Sequence, residues 1–132
     1  MRGPLGFANA ALSAADRAAV LEAARVLADE LPVERVVLYG SKARGDDDFD
    51  SDIDLLILTS RPLTMAEGFR VTELLQPVQH RHRRIVSPLR LSADEWYHGV
   101  YQALGIRQEV DRDGIDVPLP HAAGDRPEPV AR

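Results

Sequence analysis

The chain contains no cysteine, which excludes disulfide bridges, thiolate metal sites and a cysteine nucleophile and, if anything, favours a cytosolic setting. Aromatic residues make up only 5% of the sequence, so Val, Leu, Ile and Ala must fill the core. No run approaches the ~20 apolar residues of a membrane span, and Met1 to Ala15 lacks the basic-then-apolar pattern of a secretion signal. These absences lead us to expect an unprocessed cytoplasmic protein with no membrane partner. An excess of positive charge is missing too. With a net charge of -5, nucleic acid is not indicated as a partner. What remains is 132 residues with 45% hydrophobic and 28% charged side chains, enough for one globular domain that buries roughly two-thirds of its unfolded surface.

The charge is unevenly placed. Six aspartates lie between positions 46 and 54, whereas His80, Arg81, His82, Arg83 and Arg84 form a basic run. Residues 1–12 read as a flexible start. Ser13 and Asp16 have capping-box spacing, and Val20, Ala24, Leu27 and Leu31 then share a face, which predicts a helix from Ala14 to Glu30. Pro32 closes it. Val33 to Tyr39 and Asp52 to Thr59 read as strands, the second with two carboxylates at its start on one face. Thr64 and Glu67 open another helix, which Pro77 is expected to kink or split. Arg84 to Leu91 reads as a third strand, at an edge because of Pro88, and Ser92 with Glu95 caps one or two helices over Ala93 to Val110 that Gly105 weakens. The expected domain covers residues 13–116. Residues 117–132, rich in proline and without apolar periodicity, read as a disordered tail. The element order implies an α/β (α+β) domain with a small sheet flanked by helices.

The chemistry concentrates around two short strings. In the first, a strand runs into Gly40-Ser41-Lys42-Ala43-Arg44-Gly45, a small-residue turn opening a short helix whose free backbone N–H groups suit a phosphate. Gly40 allows close approach, the Ser41 hydroxyl can donate, and Lys42 and Arg44 can supply positive charge. Alone, Gly-Ser before a helix is an ordinary cap. In the second string, Asp52 and Asp54 place two carboxylates on one strand face, where they repel unless a cation lies between them. Mg²⁺ suits that pair, since it is commonly held by one or two carboxylates together with substrate phosphates. Alone, Asp-x-Asp is most often a solvated turn. A calcium loop fails, because starting at Asp48 the sixth and twelfth positions are Ile53 and Thr59 where Gly and Glu are needed.

Gly40-Ser41, the internal Ala43-Arg44-Gly45, and Ser51 before Asp52-Ile53-Asp54 together resemble the minimal nucleotidyltransferases of the DNA polymerase β superfamily. The match runs over about Val33 to Leu58. The resemblance implies a mixed sheet of the polymerase β palm type, Mg²⁺ on Asp52 and Asp54, and a nucleoside triphosphate, ATP first, on Gly40 and Ser41. It also implies transfer of a nucleoside monophosphate to a hydroxyl of a protein or RNA. Small members of this kind resemble antitoxins paired with an all-helical HEPN protein. One departure stands out. The family carries a third carboxylate on the strand after the second long helix, and Arg83 to Arg90 contains none, so Asp94, Glu95 or a partner would have to supply it. The alternative is therefore a catalytically degenerate module that binds nucleotide or a partner without turnover. The basic run reads as a helix end favoured by the helix dipole rather than an RNA contact. Trp96, Tyr97 and Tyr101, at helical spacing, are expected to pack on the sheet.

Overall fold

The polar cap at Ser13 starts the first long helix, its Oγ accepting from the Asp16 N–H at 3.0 Å, and alternating apolar residues build the strands that follow. In the computed structural model, which describes residues 4–46 and 51–120, the elements are α1 (Pro4–Ala8), α2 (Ala14–Glu30), β1 (Val33–Tyr39), α3 (Ser41–Arg44), β2 (Ile53–Thr59), α4 (Met65–His82), β3 (Val86–Ser92), α5 (Ala93–His98), a 3₁₀ turn (Val100–Ala103), α6 (Gly105–Asp113) and β4 (Ile115–Asp116). The sheet runs in the order β3-β2-β1-β4. β1 is antiparallel to both β2 and β4, and β2 is parallel to β3 through the α4 crossover.

Side-chain alternation divides the core into two layers. Val36, Leu38, Ile53, Leu55 and Ile57 face α2 and α4, where they meet Ala24, Leu27, Val71 and Leu75. Val37, Leu56 and Leu58 point to the opposite face and pack with Trp96 of α5 and Val110 of α6. Tyr97 and Tyr101 lie against this second layer, as the helical spacing of the aromatics predicts.

Four features depart from the sequence reading. Residues 1–12 contain α1, whose Phe7 is only 3% exposed and carries the Arg17 guanidinium 5.1 Å from its ring centroid. α4 continues through Pro77 instead of splitting there, the proline ring lying on the exposed side where the loss of one backbone bond is tolerated. The short strand β4 was not visible as a pattern. The chain after it stays attached, since the Val117 N–H donates to the Val36 carbonyl at 2.9 Å and Val117 is buried; residues 121–132 of the expected tail lie outside the described residues. Within the basic run, Arg81 and His82 both meet Glu22 of α2 and Arg84 meets Asp16, long-range pairings rather than a solvated helix end.

Pro88 does lie on an edge strand. That edge is blunted, because the Val86 N–H donates to Gln79 Oε1 at 2.8 Å, Pro88 has no N–H, and the Ser92 N–H donates to Glu95 Oε1 at 3.0 Å. No helix of the described residues is long and apolar enough to cross a membrane.

Docking of α1 yields a direct expectation. Phe7→Ala should cost about 3–5 kcal/mol in urea denaturation, the usual range for a buried Phe, whereas a flexible start would leave the midpoint unchanged.

Candidate metal and nucleotide site

β1 ends at Tyr39, and Gly40 reverses the chain with φ +79° before the single turn of α3. The Ala43 and Arg44 N–H groups both donate to the Gly40 carbonyl at 3.1 Å, and Gly45, with φ +80°, ends the turn as its N–H donates to the Ser41 carbonyl at 2.9 Å. Gly40 is constrained twice. Its φ is unfavourable for any residue with a Cβ, and a Cβ there would run into Oδ2 of Asp54, with Cγ only 3.3 Å away.

Register explains that contact. Tyr39 pairs with Asp54 across β1 and β2, and Asp54 pairs with Ser87 across β2 and β3. The Asp54 side chain therefore lies on the face that carries Leu56 and Leu58, beneath the Gly40 turn. Asp52 extends beyond the strand end on the same side, where the Ser87 hydroxyl reaches its Oδ2 at 3.5 Å. Burial pushes the Asp54 carboxyl above its ordinary range, with the negative charges of Asp52 and Glu109 adding to the rise and Arg44 opposing it. Tyr39 is pushed up to about 12 by burial and by the negative charges of Asp54 and Glu109. Arg44 stands at the rim, donating to Asp46 and to Glu109 at 3.1 Å each.

Lys42 must be reassigned. It was expected to face a phosphate, but it is 1% exposed and its Nζ lies 2.9 Å from Asp16 Oδ2. One helical turn puts Ser41 and Arg44 on one side and turns Lys42 and Ala43 toward α2 and the first core layer. The structure thus brings Gly40, Ser41, Arg44, Asp52 and Asp54 to one end of the sheet and takes Lys42 away from it.

A profile of the nucleotidyltransferase domain matches residues 20–96, more than half of the chain, from α2 through β3 to Trp96. The chain belongs to the nucleotidyltransferase domain family. It is 36% identical over 64 residues to a candidate protein adenylyltransferase of Methanocaldococcus jannaschii, and the match spans 48% of this chain and 63% of that relative. Among solved structures, a toxin–antitoxin with AMP-PNP is 20% identical, with 69% of this chain and 65% of that one covered and a TM-score of 0.48. A candidate nucleotidyltransferase from Sulfolobus solfataricus is 21% identical, with 77% and 80% covered and a TM-score of 0.47.

β3 (Val86–Ser92) carries no acid, where the family resemblance implies a third carboxylate. Ser87 occupies the register position beside Asp54, and Glu95 caps α5 at the other end of the strand, beyond Thr59, about 16 Å away at ~3.3 Å per residue. Asp94 starts the same distant helix. Among the described residues no three metal-ligating side chains converge, and Asp47, Asp48 and Asp50 lie outside those residues. The acid that does reach the electrostatic environment of Asp54 is Glu109 of α6, which sequence reading missed. It lies 55 positions after Asp54, beyond the matched span, and only the docking of α6 on the sheet brings it near; no spacing rule could have found it. Cavities of about 240 and 130 Å³ are lined by Thr59, Arg90 and Ser92 and by Arg35, Leu58 and Tyr97 respectively. Neither touches the two acids.

The raised Asp54 fixes a sign. Below its ordinary value of 3.8 the group is protonated folded or unfolded; as pH rises from there to the elevated folded value, the folded state holds more proton and stability falls. In metal-free buffer, Asp54→Asn should therefore unfold at a higher temperature than the parent at pH 7 and lose that advantage below pH 3.8. Equal melting temperatures at pH 7 would show that Asp54 is not under electrostatic stress.

Proposed function

We propose that this domain binds a Mg²⁺-complexed nucleoside triphosphate, preferentially ATP, and transfers its monophosphate to a hydroxyl of a partner protein. The observation that carries this reading is the Asp54 carboxylate: half-buried, raised by that burial and by its acidic neighbours, and pressed against a glycine turn where a Cβ would strike it. Two unneutralised acids on one face suit a hard divalent cation that takes its remaining ligands from phosphate and water. Asp52 and Asp54 would hold that ion. When bound, it would neutralise the triphosphate and polarise the phosphoryl group.

The protein's own contribution is positioning. The Gly40 turn would receive the triphosphate, with the Ser41 hydroxyl donating to it and Arg44 supplying charge from the rim. In the transfer, the acceptor oxygen forms a bond to the α-phosphorus, the bond from that phosphorus to the bridging oxygen breaks, and pyrophosphate departs; the acceptor proton passes to water. The relative's name as a candidate protein adenylyltransferase favours ATP and a protein acceptor over RNA. The net charge of -5 points the same way. A HEPN-type helical protein, with this chain as its antitoxin, is the acceptor to try first, because the family resemblance implies that pairing.

A second reading, a nucleotide- or partner-binding module without turnover, is favoured by Ser87 standing where a third carboxylate would serve the reaction.

ATP labelled at the α-phosphate, Mg²⁺ and a co-expressed HEPN-type neighbour separate the two. Transfer predicts label on the neighbour, lost on adding EDTA and reduced to background by Asp52→Ala. Saturable Mg²⁺-dependent ATP binding with no labelled product on any acceptor would leave the binding module as the answer.

A further inference from the structure

A one-turn helix has no cooperative stability of its own, so α3 must be held by what surrounds it. Its outer residues, Ser41 and Arg44, belong to the site described above. The inner residue is Lys42, whose Nζ lies 2.9 Å from Asp16 Oδ2 with the lysine 1% and the aspartate 4% exposed. The second oxygen of Asp16 accepts from Arg84 Nε at 2.7 Å. These three side chains come from the first turn of α2, from α3, and from the connection between α4 and β3. That connection leads straight to the acids: the Ile85 carbonyl accepts from the Ile53 N–H at 2.8 Å, and Ser87 reaches Asp52. An apolar side chain in the place of Lys42 would avoid burying a charge, and such replacements are often neutral or stabilising. The buried pair therefore serves placement better than stability. Burial alone would raise the Asp16 carboxyl, but Lys42 and Arg84 hold it below its ordinary range.

We propose that Lys42 is a positioning residue, whose ion pair with Asp16 and, through it, Arg84 locks the Ser41–Arg44 turn to the strand ends that carry Asp52 and Asp54. The ligand half of this inference rests on the nucleotide reading; the ordering of the turn does not.

Amide hydrogen exchange of the full chain without nucleotide reads the turn, and fluorescence titration with MgATP reads the ligand. Lys42→Met should speed exchange at Ser41 to Asp46 at least tenfold and weaken MgATP by a similar factor. Leu75→Ala, a core change on α4, should speed exchange through the core while leaving the turn's relative protection as it was. Lys42→Arg should restore most of the protection, since it keeps the charge. If Lys42→Met does not fold, Asp16→Asn should give the same local loosening. Unchanged exchange in the turn, or a rise no greater than that in Leu75→Ala, would overturn the proposal. Faster exchange in a protein that binds no MgATP even as wild type would support the lock and reject the nucleotide reading instead.

Discussion

The site depends on one constraint, the alignment of Tyr39 with Asp54 across the antiparallel pair of β1 and β2. That register puts the residue after Tyr39 directly over the Asp54 carboxylate, and glycine suits the place, because φ is +79° there and a Cβ at Gly40 would strike Oδ2. A slip of one residue would send the acids to the opposite face, among Leu38, Ile53 and Leu55. The apolar alternation that buries Leu56 and Leu58 on one side and Leu55 and Ile57 on the other thus also fixes the chemistry. Core and site share one specification.

Around that pair, charge joins elements that are distant in sequence. Glu22 of α2 receives Arg81 and lies 2.7 Å from His82 at the end of α4, and Arg81 with His82 draws its carboxyl down to about 2. Arg35 of β1 donates to Asp116 of β4 at 2.7 Å and to the Tyr97 hydroxyl at 2.6 Å. Asp16, Lys42 and Arg84 complete the set beneath the turn. These contacts pull the helices of one layer and the short edge strand of the sheet onto a rigid platform, while Asp52 and Asp54 stay without a cationic side chain in hydrogen-bonding reach among the described residues.

Much of this was legible in the sequence because it is local. The caps at Ser13, Thr64 and Ser92, the alternation of β1 and β2, and the Gly40-Ser41 and Asp52-x-Asp54 strings each follow from residues a few positions apart. What escaped is what tertiary packing decides. Lys42 has the same side chain whether it faces solvent or α2; only the phase of a four-residue helix turns it inward. Phe7 becomes core because α1 closes over the end of β4 and Arg17 stacks on it. Glu109 enters the field of Asp54 from a helix whose docking no short pattern encodes. Pro77 does not split α4, because its ring lies on the exposed side, where water can satisfy the carbonyl it leaves without a backbone partner.

The central claim is that two carboxylates and the glycine turn form one metal-nucleotide site. Electron paramagnetic resonance of Mn²⁺, titrated with the protein and a non-hydrolysable ATP analogue, tests it most directly. The account predicts that adding the protein to Mn²⁺ and nucleotide removes markedly more free-ion signal than the nucleotide's own chelation does, and that Asp52→Asn with Asp54→Asn abolishes that protein-dependent part. Nucleotide binding that ignores the divalent ion, or Mn²⁺ uptake unchanged in the doubly neutralised variant, would contradict it.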